Sequence, residues 1–300
     1  MKNKILLLIP ALLLTSCGNS ADDLYKKIVE YDASGKVTLT SEFTYKGRNI
    51  LTLKETNDKG SSLLTYTYDG DLTVNLKIQK MKDGKYVDNY LTSFTYDDNK
   101  TMLSSEDFTF NEETSHYELT GITTYEFDEN GRDSKIRSIN YYEDLSVYMQ
   151  TEIRYEYNIE GLVSKIDEYI YDDELGEMTY FSGDIYTYES DNKTIKQIKT
   201  LDSDHETLMT SNYIYNEDMT VKEIDTTKVT EGVEAPLKVE TFEYDSNKNR
   251  TMLMTVYSDN GFGDEVVRSE YDKKNRLVKQ SYYDLEGDNE ILNSYQVYTY

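Results

Sequence analysis

Apolar and polar residues alternate with a period of two along most of this chain, and a pair of aromatics punctuates the alternation at regular intervals. The pattern is aromatic, any residue, aromatic, then Asp, Asn or Glu. It appears at Tyr66-Thr67-Tyr68-Asp69, Phe94-Thr95-Tyr96-Asp97, Tyr125-Glu126-Phe127-Asp128 and Tyr155-Glu156-Tyr157-Asn158. It recurs at Tyr186-Thr187-Tyr188-Glu189, Tyr213-Ile214-Tyr215-Asn216 and Phe242-Glu243-Tyr244-Asp245, more weakly at Ser269-Glu270-Tyr271-Asp272, and again at Tyr298-Thr299-Tyr300. Successive second aromatics from Tyr68 to Tyr300 are spaced by 28, 31, 30, 31, 27, 29, 27 and 29 residues. Two degenerate copies, Val29-Glu30-Tyr31-Asp32 and Phe43-Thr44-Tyr45-Lys46, precede them at shorter spacing.

Each unit reads as two strands. Aromatics at i and i+2 share one face of a strand, because side chains alternate with period two. The acid that follows opens a turn, since Asp and Asn bond their own backbone and tolerate unusual dihedrals. Glu129-Asn130-Gly131, Ile159-Glu160-Gly161 and Ser246-Asn247-Lys248-Asn249 fit that role. A return strand follows, as in Thr220-Val221-Lys222-Glu223-Ile224-Asp225, and a second turn such as Asp259-Asn260-Gly261-Phe262-Gly263 closes the unit. Enrichment in Tyr, Thr, Ile and Val supports strands. Only residues 22–29 could form a short helical turn. The expectation is an all-β antiparallel meander of about 18–20 strands, each roughly 8–11 residues, which must curl because open sheets rarely exceed about ten strands. An open spiral and a closed, porin-like barrel both satisfy the pattern. A membrane-spanning barrel does not, because polar and charged residues fall on both faces of many strands.

The amino terminus is a different kind of segment. Lys2 and Lys4 precede an apolar run from Ile5 to Leu14, the layout of a secretory signal. The run is shorter than the roughly 20 residues a spanning helix needs. Leu14-Thr15-Ser16-Cys17 resembles the bacterial lipobox, which implies cleavage before Cys17, acylation of its sulfur and attachment to a membrane through the acyl chains. The next residues, Gly18-Asn19-Ser20-Ala21-Asp22-Asp23, resemble the export tag of outward-facing Bacteroidetes outer-membrane lipoproteins, although an acidic linker has the same composition. The chain thus divides into a signal peptide (1–16), a lipidated terminus and linker (17–27) and a repeat domain (28–300).

The Tyr-Asp-turn pattern, clearest at Glu270-Tyr271-Asp272-Lys273-Lys274-Asn275-Arg276-Leu277, resembles the YD-repeat of bacterial RHS proteins. That family usually has glycine three residues after the Asp. Here Asp128 has Gly131, but Asp245 has Lys248 and Asp272 has Asn275. The units are also longer than the family's. Bacteroidetes lipoproteins of unassigned function, with YD-like hairpins in a soluble porin-like sheet, are the nearer likeness. The resemblance implies a curled β-meander and no known catalysis.

Charge and composition narrow the chemistry. Removal of sixteen residues from 300 leaves 284, and loss of two lysines turns the net charge of −25 into −27. Such a surface repels phosphate and argues against nucleic acid as a partner. Cys17 is the only cysteine, so no internal disulfide can form. His116 and His205 are the only histidines and fall in or near turns about ninety residues apart, which argues against a zinc site and a Ser-His-Asp arrangement. No phosphate-binding glycine loop is present, so no cofactor is expected. Calcium is the one ion the turns could take, at Asp128-Glu129-Asn130-Gly131-Arg132-Asp133 and Asp202-Ser203-Asp204, without a full EF-hand pattern.

The 30 tyrosines are the unusual feature. The second aromatics Tyr68, Tyr96, Phe127, Tyr157, Tyr188, Tyr215, Tyr244 and Tyr271 form a ladder that either holds the sheet together or offers a platform to sugars or peptides. No catalytic residue stands out. The expected function is a non-catalytic, outward-facing envelope lipoprotein that binds or scaffolds an extracellular glycan, peptide or protein on its concave face. Two other readings remain: a glycan hydrolase using a pair among the 57 acids, and a structural accessory of an outer-membrane complex.

Overall fold

The structure is a computed structural model that describes residues 24–258, 263–287 and 289–300. Cys17, its signal peptide and most of the turn around Gly261 lie outside the described residues. Twenty strands follow one another. They are β1 (Lys27–Asp32), β2 (Val37–Lys46), β3 (Asn49–Asn57), β4 (Gly60–Asp69), β5 (Leu72–Lys82), β6 (Lys85–Tyr96) and β7 (Met102–Asn111). Next come β8 (His116–Phe127), β9 (Asp133–Tyr141), β10 (Val147–Tyr157), β11 (Val163–Asp172), β12 (Glu177–Tyr188), β13 (Ile195–Leu201) and β14 (Thr207–Tyr215). The last are β15 (Val221–Thr230), β16 (Val233–Tyr244), β17 (Arg250–Tyr257), β18 (Asp264–Tyr271), β19 (Leu277–Glu286) and β20 (Asn289–Thr299).

Every strand pairs antiparallel with its sequence neighbours, and β1 also pairs antiparallel with β20, from Lys27↔Thr299 to Asp32↔Ser294. The meander is therefore a closed barrel and not an open spiral. Lys27, Ile28 and Val29 belong to its first strand, so the helical turn open to residues 22–29 does not form over the last three of them. Their backbone is taken up by β2 and β20 on either side. At about 4.8 Å per strand the circumference is on the order of 96 Å, giving a lumen too wide for side chains to fill.

The turns explain why Asp or Asn follows the aromatic pair. Asp97, Asp128, Asn158, Asp245 and Asp272 each accept, at one Oδ1, the amides two and four residues later. Asp32 and Asp202 build the same turn at the opposite rim. The residue three after the acid is left-handed in each, whether Gly131 (φ 75), Lys248 (φ 64) or Asn275 (φ 61). Lys248 and Asn275 therefore bear the strain cost that non-glycine residues carry in that region, which Gly131 avoids.

Hydrogen bonds within the turns hold several of these carboxyls below the ordinary range. The Arg132 guanidinium brings Asp128 down to about 2, and Arg276 and Asn249 do the same in direction for Asp272 and Asp245. A carboxyl depressed in the folded state stabilises above its unfolded value near 4 and loses that contribution as pH falls toward 2. Thermal unfolding should therefore shift downward between about pH 4 and 2, and Asp128→Asn should flatten part of that shift.

The second aromatic of each unit stands opposite a β-bulge. The register slips by one residue at Tyr45, Tyr68, Tyr96, Phe127, Tyr157, Tyr188, Tyr215, Tyr244 and Tyr271. A bulge bends its strand and increases twist, so one per hairpin curls the sheet toward closure. The carbonyl of the residue paired with each such aromatic accepts a hydrogen bond from the tyrosine of the next unit: Tyr68 donates to Ile50 O, Tyr96 to Thr73 O, Tyr157 to Asp133 O, Tyr188 to Val163 O and Tyr215 to Ile195 O. Tyr45, Tyr271 and Tyr300 do the same to Tyr25, Arg250 and Leu277, the eight bonds spanning 2.5 to 3.1 Å.

The two faces of the wall differ. One carries both motif aromatics, together with Leu53 and Leu64, each almost fully buried. Burial pushes phenols on this face upward, Tyr45 and Tyr66 to about 12, and the raised Tyr90 on β6 also feels Tyr148 four strands away on β10. Such convergence identifies the concave side, which lines the lumen. The outer face carries cross-strand pairs of Thr44 with Thr52 (2.6 Å), Lys135 with Glu126 (3.2 Å) and Lys279 with Glu270 (3.3 Å). Charges at these positions suit water and not hydrocarbon.

A phenol raised in the folded state stabilises fully below its unfolded value near 10 and loses that contribution as pH climbs through the folded value. Alkaline titration should therefore unfold the barrel between about pH 10 and 12, with phenolate absorbance and loss of the β circular dichroism rising together. Phenols ionising well before the dichroism changes would contradict the burial assigned to Tyr45 and Tyr66.

Candidate ligand surface in the lumen

The sequence singled out the second aromatics, and the structure brings them together as a ring near the rim where the Tyr-Asp turns lie. Six of the eight, Tyr68, Tyr96, Tyr157, Tyr188, Tyr215 and Tyr271, have their hydroxyls committed to the neighbouring unit. Phe127 has no hydroxyl to give. Tyr244 lines a shallow depression of about 530 Å³ at this rim with Asp218, Phe242 and Asp245. Arg132 and Arg276 stack on Tyr157 and Tyr300 at 4.1 and 4.2 Å while bonding Asp128 and Asp272. Apart from the rim depression, the ring is built into the wall.

The first aromatics, two residues earlier and one layer deeper, behave differently. The hydroxyls of Tyr66, Tyr155, Tyr186 and Tyr213 have no hydrogen-bond partner among the described residues, yet none is sealed from solvent. They open onto the lumen. Tyr186 and Tyr213 both lie within electrostatic reach of Asp184, and Tyr213 also of Glu240 and Lys238. Asp184 accepts from Thr200 at 2.7 Å, Glu240 pairs with Lys238 at 2.9 Å and Glu168 accepts from Ser182 at 3.0 Å. A small cavity of about 70 Å³ opens beside them, lined by Ile166, Glu168, Ser182, Gly183, Asp184 and Thr200. The motif's first position was visible in the sequence, but only the hydroxyl partners separate it from the second.

Gly183 keeps this wall thin. A Cβ there would stand 2.7 Å from Asp167 Oδ1, Ile166 O and Tyr180 Oη, one of them backbone. Gly183→Ala should lower stability by about 1–3 kcal/mol, the range of overpacked interiors, as read by the denaturation midpoint. A neutral result would mean that the β11–β12 wall yields freely.

The other sequence candidates have local roles. His116 opens β8, its Nδ1 2.6 Å from Thr114 O. His205 occupies the left-handed position of its turn (φ 62) and stacks on Tyr180 at 3.9 Å. In the two turns considered for calcium, Asp128 is bonded by Arg132 and two amides, and Asp202 by two amides.

No family model and no curated protein matches the chain. Among solved structures it is similar to a porin-like protein from Bacteroides uniformis, at 9% identity and a TM-score of 0.35 over 92% of this chain and 97% of that one. A porin-like protein from Bacteroides vulgatus is similar at 11% identity and a TM-score of 0.35, over 64% and 98% of the two chains. A DUF3836 family protein from Bacteroides vulgatus is similar at 11% identity and a TM-score of 0.23, over 40% and 89%.

Proposed function

We propose that the chain is an envelope lipoprotein, held by acylated Cys17 and facing outward, whose barrel binds an extracellular glycan or peptide in its lumen without transforming it. One observation carries this reading. Tyr66, Tyr155, Tyr186 and Tyr213 present unpaired hydroxyls to the lumen, Tyr186 within reach of the Asp184 carboxylate and Tyr213 within reach of Asp184 and Glu240. Tyrosine offers sugars and peptides an apolar ring face with a polar tip, and the carboxylates add acceptors.

The test is a glycan and peptide binding screen on the protein purified from its own host, run beside a reducing-sugar release assay. Tyr186→Ala with Tyr213→Ala should weaken the ligand found by roughly tenfold, or 1.4 kcal/mol. Turnover in the release assay would favour a hydrolase working from Glu168 and Asp184, and silence in both assays a structural accessory role. Mass spectrometry of the same material should show diacylated Cys17 at the amino terminus. A retained Met1 or an unmodified cysteine would overturn the anchor.

A further inference from the structure

The chain enters and leaves the barrel at the Tyr-Asp rim, where Lys26 N bonds Thr299 O and Tyr25 O accepts from Tyr45. The opposite rim is formed by the other set of turns, and two neighbouring hairpins there gather more exposed large apolar side chains than its other described hairpins. The β9–β10 turn exposes Tyr142 and Leu145 (60% each), with Tyr148 and Met149 beside them, and the β11–β12 hairpin exposes Leu175 (65%) and Phe181 (53%). The two hairpins are joined through β10 and β11 and by a contact from Gln150 to Met178. The Tyr142 and Tyr148 rings pack at 5.1 Å.

Leu145 is displayed against its own backbone preference. It holds φ 64, the left-handed position that Gly35, Ser115, Gly176 and His205 take in other turns of this rim, none of them a large apolar residue. A bulky residue kept there, with its side chain in water, serves neither turn nor core. Around this apolar saddle the sequence is acidic. Glu143, Asp144, Asp172, Asp173, Glu174 and Glu177 stand in segments 141–150 and 171–181, which contain no Lys or Arg.

We propose that this rim docks a protein segment whose apolar centre is ringed by Lys and Arg. Large exposed apolar patches rimmed by polar residues mark interaction sites, and like charges across an interface are repelled. A second copy would set acid against acid on a molecule of net charge −25, so the complement has to be basic. The site is separate from the tyrosine belt, which lies toward the other rim.

The test uses three peptides of about fourteen residues on an amphipathic helical pattern: Leu with Lys, Leu with Glu, and Ser with Lys. The Leu/Lys peptide should bind the wild type at least about tenfold more tightly than it binds the Leu145→Ser, Leu175→Ser, Phe181→Ser variant, with unfolding temperature unchanged. Leu145→Gly should raise the unfolding temperature while weakening the same peptide, a combination that a purely structural role does not produce. Equal binding to wild type and variant would show attraction to overall charge only, and comparable binding of the Leu/Glu peptide would remove the basic requirement. Either result overturns the proposal, as would a concentration-dependent dimer abolished by the triple substitution.

Discussion

Replacing Arg137 and Arg154 together by alanine should destabilise the barrel by about 3 kcal/mol, the lower end of the range for stripping a buried charge of its partners. Glu152 is 1% exposed on the outer face, in the middle of β10. Arg137 bonds one carboxylate oxygen at 2.6 Å and Arg154 the other at 2.6 Å, with the Arg154 guanidinium lying 4.0 Å over the Tyr169 ring. Burial alone would raise the Glu152 carboxyl, but the two guanidinium groups outweigh it and hold the group below its usual range. Both arginines are nearly half exposed, so each single alanine leaves the carboxylate one partner and some access to water. The singles should therefore cost about 1 kcal/mol each, less together than the double substitution. Adding Glu152→Leu to the double variant should recover most of the loss, since an apolar residue of similar volume needs no partner. Denaturation midpoints at unchanged slope measure all four. A strictly additive double, or a leucine that recovers nothing, would show that the carboxylate is not effectively desolvated.

That network could not be read from the chain. With 57 acidic residues, nothing marks Glu152, because its burial depends on Arg137 one strand away and on Arg154 two residues along. The repeat was legible for the opposite reason. Its spacing, aromatic pair and turn acid are local, and each has a local physical cause in strand alternation and in Asp side chains bonding their own turn. Closure was not legible, since it rests on β1 pairing with β20 across almost the entire chain, and no nearby residue signals that match. The start of β1 at Lys27 was missed with it, because a strand held by two distant partners needs little propensity of its own. The bulges leave no such local mark: a register slip shows in pairing, not in composition. The docking rim lies in segments whose apolar residues look like strand material until the turns are built.

Converting Tyr68, Tyr96, Tyr157 and Tyr188 to phenylalanine together should cost on the order of 4 kcal/mol, about 1 for each hydrogen bond lost. The rings would remain, so the apolar contribution is unchanged and the loss measures the hydroxyls. Tyr68 and Tyr96 stand two strands apart, as do Tyr157 and Tyr188, roughly 10 Å, and Tyr96 and Tyr157 stand four apart, far enough for their effects to add closely. Phe127 supplies the complementary experiment. Its equivalents donate to the carbonyl of the residue paired with the preceding unit's aromatic, and for Phe127 that residue is Met102, opposite Tyr96. Phe127→Tyr should accordingly stabilise by about 0.5–1.5 kcal/mol, the usual net value of one such bond. The two layers of tyrosine should separate in the same material. Phenylalanine at the four second positions should lower stability and leave lumen binding intact, whereas alanine at Tyr186 and Tyr213 should do the reverse. Loss of binding in the four-phenylalanine barrel at a temperature where it is fully folded would mean that the ring built into the wall is also the ligand surface, and the division between its two layers would fall.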